Sequence, residues 1–361
     1  SQPLEAYLRQ TGQADEQGHR LTTNTKASGR FHSLWLSMMY PRLLLARQML
    51  REDGIIFVSI DDNEVHNLRI LMNEVFGEEN FVATLVWKKK YTGGQHSSYF
   101  VDMHEYILVF AKYWQNLGEI LINRPEKEKE KFTLEDEYVQ ERGRYYLRPL
   151  KSNLEERRTL IYPIQLPDGT SITTQWLVAK DTFAALQANG YIEIRKKQDG
   201  TYQVYKKYYE FDRGGLVKIP TILEDVAYNA DGKEDYKKLF GIYQSRDILL
   251  QTIKPVKLLR LFLEGITTNN DLILDFFAGS CSLAQAVLEL NRDDGGGRHF
   301  ISVQLPEDTG NEEYPTIPDI GRERIRRVIQ RIQKEQPTLT GGAADLGFRS
   351  FKLGRSHFTP W

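Results

Sequence analysis

The sequence predicts an α/β fold, a layered sheet flanked by helices and interrupted by an inserted α+β domain. Three observations carry this. Between Phe31 and Lys112 helical and strand patterns alternate at short spacing, the same alternation returns after Ser245, and the stretch between changes to short strands, turns and charged segments. Strand, helix and strand in succession mark a layered α/β unit. The chain is therefore expected to divide into 1–112, 113–244 and 245–361.

The first segment opens with Leu34 to Leu50, apolar at helical spacing and interrupted by Pro41, where a kink or restart is expected. Asp53-Gly54 turns into Ile55–Ile60, a short apolar run suited to a buried strand. Asp61-Asp-Asn-Glu64 places acidic residues at the start of the next helix, where the macrodipole favours them. Phe81–Trp87 and His104–Ala111 are two further strands.

In the middle segment, Glu126 to Lys131 alternates charge and is expected to be a solvated helical face. Short strands follow at Leu160–Leu166 and Ile172–Val178, and Tyr191–Tyr209 reads as a hairpin about Asp199-Gly200. After Ser245, Lys254–Leu263 is an amphipathic helix, Asp271–Phe277 a buried strand, Ala278-Gly-Ser280 a tight turn and Ser282–Leu290 the helix it feeds. A glycine loop at 295–297 leads to a strand from His299 to Leu305, a basic helix from Gly321 to Lys334 with an expected solvated outer face, and a last strand candidate at Phe348–Leu353.

Composition narrows the function classes. The 48 Lys and Arg oppose 49 Asp and Glu, so a uniformly basic nucleic-acid coat is excluded while local patches are not. A single Cys excludes a disulfide framework and a thiolate-clustered zinc site, and fits a reducing cytoplasm. No apolar run approaches the ~18 residues needed to span a bilayer. A soluble cytoplasmic protein without a metal site is expected.

Leu274-Asp-Phe-Phe-Ala-Gly-Ser-Cys-Ser282 is the most informative unit. A buried strand ending in a small-residue turn at a helix N-terminus lets a nucleotide-like ligand sit against main-chain N–H groups near Gly279. An acidic or polar residue ending the next strand often holds a ribose hydroxyl, and Gln304 and Glu307 are the candidates. A nicotinamide dehydrogenase would need a Gly-x-Gly-x-x-Gly turn, whereas 278–283 holds one Gly.

These blocks, in order, make the chain resemble the amino-methylating DNA methyltransferases. Asp275-Phe-Phe-Ala-Gly-Ser280 looks like their S-adenosylmethionine motif, and Lys254-Pro-Val-Lys-Leu-Leu259 like the helix preceding it. Trp35–Arg47 and Asp53–Glu64 ahead of these resemble the β-class order, in which the catalytic half comes first. Gly29–Ser33, Asn189–Ile192, Val303–Glu307 and Gly347–Leu353 are similar to modification subunits of type III restriction systems.

The resemblance implies a Rossmann-like methyltransferase sheet with the insert as target-recognition domain. It implies methyl transfer from S-adenosylmethionine to an exocyclic amine, adenine N6 above cytosine, in double-stranded DNA. Asp275, Phe276, Phe277, Gly279, Ser280, Gln304, Glu307, Lys254 and Pro255 would hold the cofactor. Basic clusters with aromatic neighbours suit phosphates and bases, giving Lys88, Lys89, Lys90, Arg195, Lys196, Lys197, Tyr205, Lys206 and Lys207 as DNA contacts. His32 joins them by its place in the family's order. A second modification subunit, forming a homodimer, and an ATP-dependent helicase–nuclease restriction subunit are the implied partners.

Two departures matter. The motif's third glycine is Cys281, whose Cβ narrows the cleft or demands a different backbone conformation. A nucleophilic Cys281 is the sharper alternative to a packing role. The family's Asp/Asn-Pro-Pro-Tyr tetrad, whose ring stacks on the flipped base and whose polar groups engage its amine, is absent, since no two prolines are adjacent. With Ser1 as first residue, a fragment lacking the tetrad's central strand is expected, with no catalytic residue to nominate and an inactive isolated chain. The strands around Ile273 and Ile56 would then lack a partner between them. The alternative is a non-catalytic DNA-binding specificity module with a degenerate cofactor fold, which both departures favour.

Overall fold

The computed structural model describes residues 30–92, 99–244, 247–250, 252–335 and 346–354, with backbone alone at 30 and 31; Gly29 and Ser1 lie outside. The chain forms two compact units, the first from residues up to Ile120 and again from Ile219 on, the second from Leu121–Lys218.

In the first unit, α1 (Arg30–Met49) is followed by β1 (Ile55–Ile60), α2 (Val65–Phe76), β2 (Phe81–Lys88) and β3 (His104–Ala111). Helix α1 runs through Pro41 without a break. Its buried Met39, Leu43 and Ala46 recur at intervals of four and three and pack with Leu68, Met72 and Phe76 of α2 against Ile56, Leu108 and Phe110. Alternate strand residues face the other way, where Leu85, Trp87, Ile107 and Val109 meet a second helical layer through Leu258 and Phe262.

The second unit is smaller and built from short ladders. Strands β4 (Leu121–Asn123), β5 (Tyr145–Pro149), β6 (Ile161–Gln165) and β7 (Ser171–Gln175), helix α3 (Lys180–Ala188), and strands β8 (Ile192–Lys196), β9 (Tyr202–Tyr209) and β10 (Leu216–Lys218) make three antiparallel sheets: β5-β9-β8, β6-β7 and β4-β10. The β8–β9 hairpin turns at Asp199-Gly200, as its sequence predicts. The segment 126–131 forms only one helical turn, at Glu126–Lys129. Tyr162, Ile164, Trp176, Phe183 and Val204 form the core.

Behind β9 sits a buried polar cluster. Asp136 accepts hydrogen bonds from Lys207 Nζ at 2.5 Å and Tyr209 Oη at 2.6 Å. Burial works to raise the Asp136 carboxyl, but these donors and the Tyr138 N–H hold it below the usual range. A depressed carboxyl stabilises the fold above its ordinary pKa and loses that contribution as pH falls through the depressed value. Asp136→Asn should therefore cost about 2 kcal/mol at neutral pH and flatten the unit's acid sensitivity. Urea midpoints at pH 7 and in the acid range compare the two proteins; parallel losses in both would refute this.

The chain then re-enters the first unit earlier than composition suggested, because β11 (Ile222–Leu223) pairs parallel with β2 and α4 (Asn229–Phe240) buries Tyr236 beside Ile253 and Ile320. Helix α5 (Val256–Ile266) leads to β12 (Leu272–Asp275), α6 (Ser282–Asp294), β13 (His299–Ser302) and α7 (Ile317–Glu335). The first unit thus holds a four-stranded sheet, β1-β3-β2-β11, and a parallel pair, β12-β13. Among the described residues β1 pairs only with β3, and β12 only with β13. Among the described residues, 348–353 pair with no strand. No helix of the described residues is long and apolar enough to cross a membrane.

Candidate functional site

Strands β1, β2 and β11 all run toward the edge where β3 begins, as their antiparallel and parallel registers require. Arg51 and Asp271, joined at 2.7 Å, tie the approaches to β1 and β12 together, and Phe276 packs against the β1-side core. Crevices outside the carboxyl ends of such strands are where α/β sheets bind ligands.

At the end of β12 the chain makes the expected turn. Asp275 accepts the Phe277 N–H at 3.1 Å, and desolvation pushes its carboxyl upward. Gly279 adopts φ +51°, and a Cβ there would meet nothing closer than 4.0 Å, so its outer side is open. Gln304 Oε1 accepts the Gly279 N–H at 2.8 Å, bringing two of the sequence candidates together. Phe277 is 53% exposed beside them. Glu307 lies further along, where its carbonyl accepts the Ile317 N–H.

Cys281 adopts a left-handed conformation, φ 59° and ψ 38°, as the cap of α6. Its side chain joins the core with Ala278, Ala284 and Ile325. Burial pushes the thiol up to about 11, so it is protonated at neutral pH. That favours packing over nucleophilic attack, which needs thiolate. The thiol occupies space a Cβ on Gly321 of α7 would need, 2.6 Å from the Sγ.

The basic helix departs from its expected solvated face. Arg324 is 0% exposed and reaches back to the turn, its Nη1 donating to Ser280 Oγ at 2.7 Å and Ser282 Oγ at 2.8 Å and its Nε to Gln285 Oε1 at 2.7 Å. Its sequence neighbours Arg322, Arg326 and Arg327 pair with Asp319 or Glu323 instead. Periodicity could have revealed this: Ile325, Val328 and Ile332 mark the buried stripe that Arg324 borders.

Lys254 does not lie free beside the turn. Its ammonium bonds Glu105 and sits 4.6 Å above the Trp87 ring, and Pro255 is buried at the start of α5. Lys89, read from sequence as a DNA contact, is buried on the same carboxylate, 2.6 Å from Asp102 and 3.6 Å from Glu105. Its neighbours differ: Lys88 is half-buried and Lys90 exposed. His32 Nδ1 lies 2.6 Å from Glu64, itself buried at the start of α2.

On the hairpin, strand alternation separates the predicted cations. Lys207 is buried on Asp136, which makes it an internal cation rather than a surface one. Lys206 faces the other way, 4.8 Å from the Tyr208 ring. Tyr208 stacks on Tyr146 at 5.4 Å, and Arg148 lies beside both rings. Sequence reading missed Tyr146 and Arg148, which only the β5–β9 register brings there. Arg195 pairs with Glu193; Lys196 and Lys197 are exposed near the turn, and Tyr205 opposes Glu193.

The sequence model of a DNA methylase family, N6/N4 type, matches residues 13–321. The chain is similar to the type III restriction-modification enzyme StyLTI Mod subunit of Salmonella typhimurium, 34% identical over 89% of this chain and 49% of that one. It is also similar to the EcoPI Mod subunit of Escherichia phage P1, 32% identical over 93% and 55%. The type II methyltransferase M.KpnI of Klebsiella pneumoniae is 29% identical over 76% and 67%. The chain spans about half the length of the Mod relatives it matches.

Proposed function

The chain belongs to the DNA methylase family, and from that premise we propose that it is the cofactor-binding and target-recognising part of a site-specific DNA methyltransferase of the Mod type. The proposed reaction moves a methyl group to an exocyclic amine of double-stranded DNA, adenine N6 first. One observation carries it: the strand–turn–helix at 275–282, open outward at Gly279 and held from behind by Gln304 and Arg324.

These residues suit S-adenosylmethionine. Gly279 leaves room for close approach to the main chain, the first turn of α6 offers N–H donors, Asp275 a carboxylate, and Phe277 an exposed ring. Glu307 remains a candidate for the ribose hydroxyls, while Gln304 acts through Gly279. The cofactor supplies an electrophilic methyl on a sulfonium sulfur. The residues of this chain bind and orient it, which is the larger part of what a direct displacement needs. Lys254, committed to Glu105, would orient the start of α5 rather than touch the ligand. The second unit, with Lys206, Arg148 and the Tyr146–Tyr208 pair on one face, would contact DNA. A second copy of the chain and a restriction subunit are the proposed partners.

Titration calorimetry with S-adenosylmethionine tests the reading. Saturable binding that Asp275→Ala weakens roughly tenfold is expected. Transfer of labelled methyl to duplex DNA by these residues alone is expected to be undetectable, because no adjacent prolines form the family's tetrad. Absence of binding at millimolar ligand would instead favour the non-catalytic specificity module, for which Cys281 in place of glycine speaks.

A further inference from the structure

We propose that the second unit holds one nucleotide of bound DNA in the cleft between the end of α3 and the turn after β9, with its phosphate on Arg213 and its base against Phe211. This rests on the reading that the unit contacts DNA, and assigns it a site the sequence did not single out.

The cleft has a volume of about 490 Å³ and is lined by Arg142, Leu186, Tyr191, Phe211, Asp212 and Arg213 among others, within the range of small-molecule sites. Its floor is firmly built. Asp212 accepts the Tyr209 N–H at 2.9 Å and the Tyr191 hydroxyl at 3.2 Å, and the Phe211 N–H donates to the Arg142 carbonyl at 2.9 Å. Arg142 is spent on the wall: its guanidinium lies 3.9 Å from the Tyr138 ring and donates to the Asn189 carbonyl. The two acids at the cleft are likewise engaged, Asp212 as above and Glu141 4.0 Å from Arg142.

Arg213 is the exception. It is exposed, and while its carbonyl accepts the Leu216 N–H, its guanidinium makes no hydrogen bond or ion pair among the described residues. It also sits at φ 57°, ψ 34°, followed by Gly214 at φ 68° and Gly215 at φ 77°. Glycine adopts this left-handed backbone freely and arginine does not. The fold therefore keeps a disfavoured residue whose side chain it does not use. An unengaged guanidinium lining a cleft matches a phosphate by its fork of donors. Phe211 beside it is 49% exposed, an open aromatic face of the kind on which bases stack.

Fluorescence anisotropy with a labelled random-sequence duplex, across a salt series and using the full chain, tests this. Arg213→Asn keeps a residue that tolerates the left-handed backbone, so its melting temperature should match or exceed that of the unchanged protein. Its affinity should fall roughly tenfold, the loss of one charge-assisted bond, with the log–log salt slope reduced by about 1. Phe211→Ala should weaken binding at unchanged slope. If Asn at 213 fails to fold, Arg213→Gly replaces it. Unaltered affinity and slope in the 213 variant would overturn the proposal and leave the DNA reading standing. Absence of DNA binding by the unchanged chain would remove both.

Discussion

Replacing Arg324 with Leu should cost about 4 kcal/mol and abolish S-adenosylmethionine binding, two losses with one origin. The guanidinium is enclosed, and its partners are two hydroxyls and an amide rather than a carboxylate. Its Nη2 has no hydrogen-bond partner. Burial pushes its pKa down to about 10, against the pull of Asp235, so it remains charged at neutral pH. A buried cation is expensive unless its donors are used. Here they join three positions, Ser280 in the turn, Ser282 at the helix start and Gln285 one turn on, into a single rigid piece. Leucine fills the space yet takes the donor from Gln285 Oε1 and leaves the two serine hydroxyls only one another, 3.3 Å apart. Arg324→Lys keeps the charge but cannot reach three acceptors, so it should fold and bind the ligand at least tenfold more weakly. Urea unfolding and calorimetry measure both, and a leucine variant with normal stability and affinity would contradict this account.

The second large effect is Gly321→Ala, expected to cost about 3 kcal/mol and to be largely rescued by Cys281→Gly. The new Cβ would lie 2.6 Å from the Cys281 Sγ, itself packed among the buried Ala278, Ala284 and Ile325. Cys281→Gly alone removes a left-handed non-glycine residue and also a buried thiol, opposing changes that should nearly cancel. The double variant should thus sit near the unchanged protein, with a coupling of about 2 kcal/mol in a double-mutant cycle of unfolding free energies. Additive losses would show that Cys281 and Gly321 do not share this space.

Much of the fold was legible because its signals are local. The Asp199-Gly200 hairpin, the strands at 55–60 and 104–111, the helix after Pro255 and the 275–282 turn are all written in short-range patterns. Helix α4 was not, since Gly232 sits one turn into it, where an added Cβ would be 2.3 Å from the Ile253 carbonyl. Close approach explains that glycine, and no sequence window shows it. Among site residues, Gln304 beside Gly279 followed from the order of strands. Lys89 and Lys254 meeting on Glu105 did not, because Lys254 reaches that carboxylate from 149 residues away in sequence. Lys206 and Lys207 could have been separated by strand parity alone. Arg324 was hidden by its company, one buried arginine among five in a helix whose others face solvent or acids.

The β4–β10 ladder has a consequence for how the chain is made and varied. Leu121 pairs with Lys218, so the insert leaves and returns at hydrogen-bonded neighbours. An excursion of about 100 residues is thereby reduced to a short connection, sparing the surrounding unit a closure entropy that grows only as the logarithm of length. During synthesis the insert is a contiguous stretch that emerges complete before β11 is available to finish the sheet around it. A module tied off at its own base can be exchanged for another of different length without disturbing the register on either side.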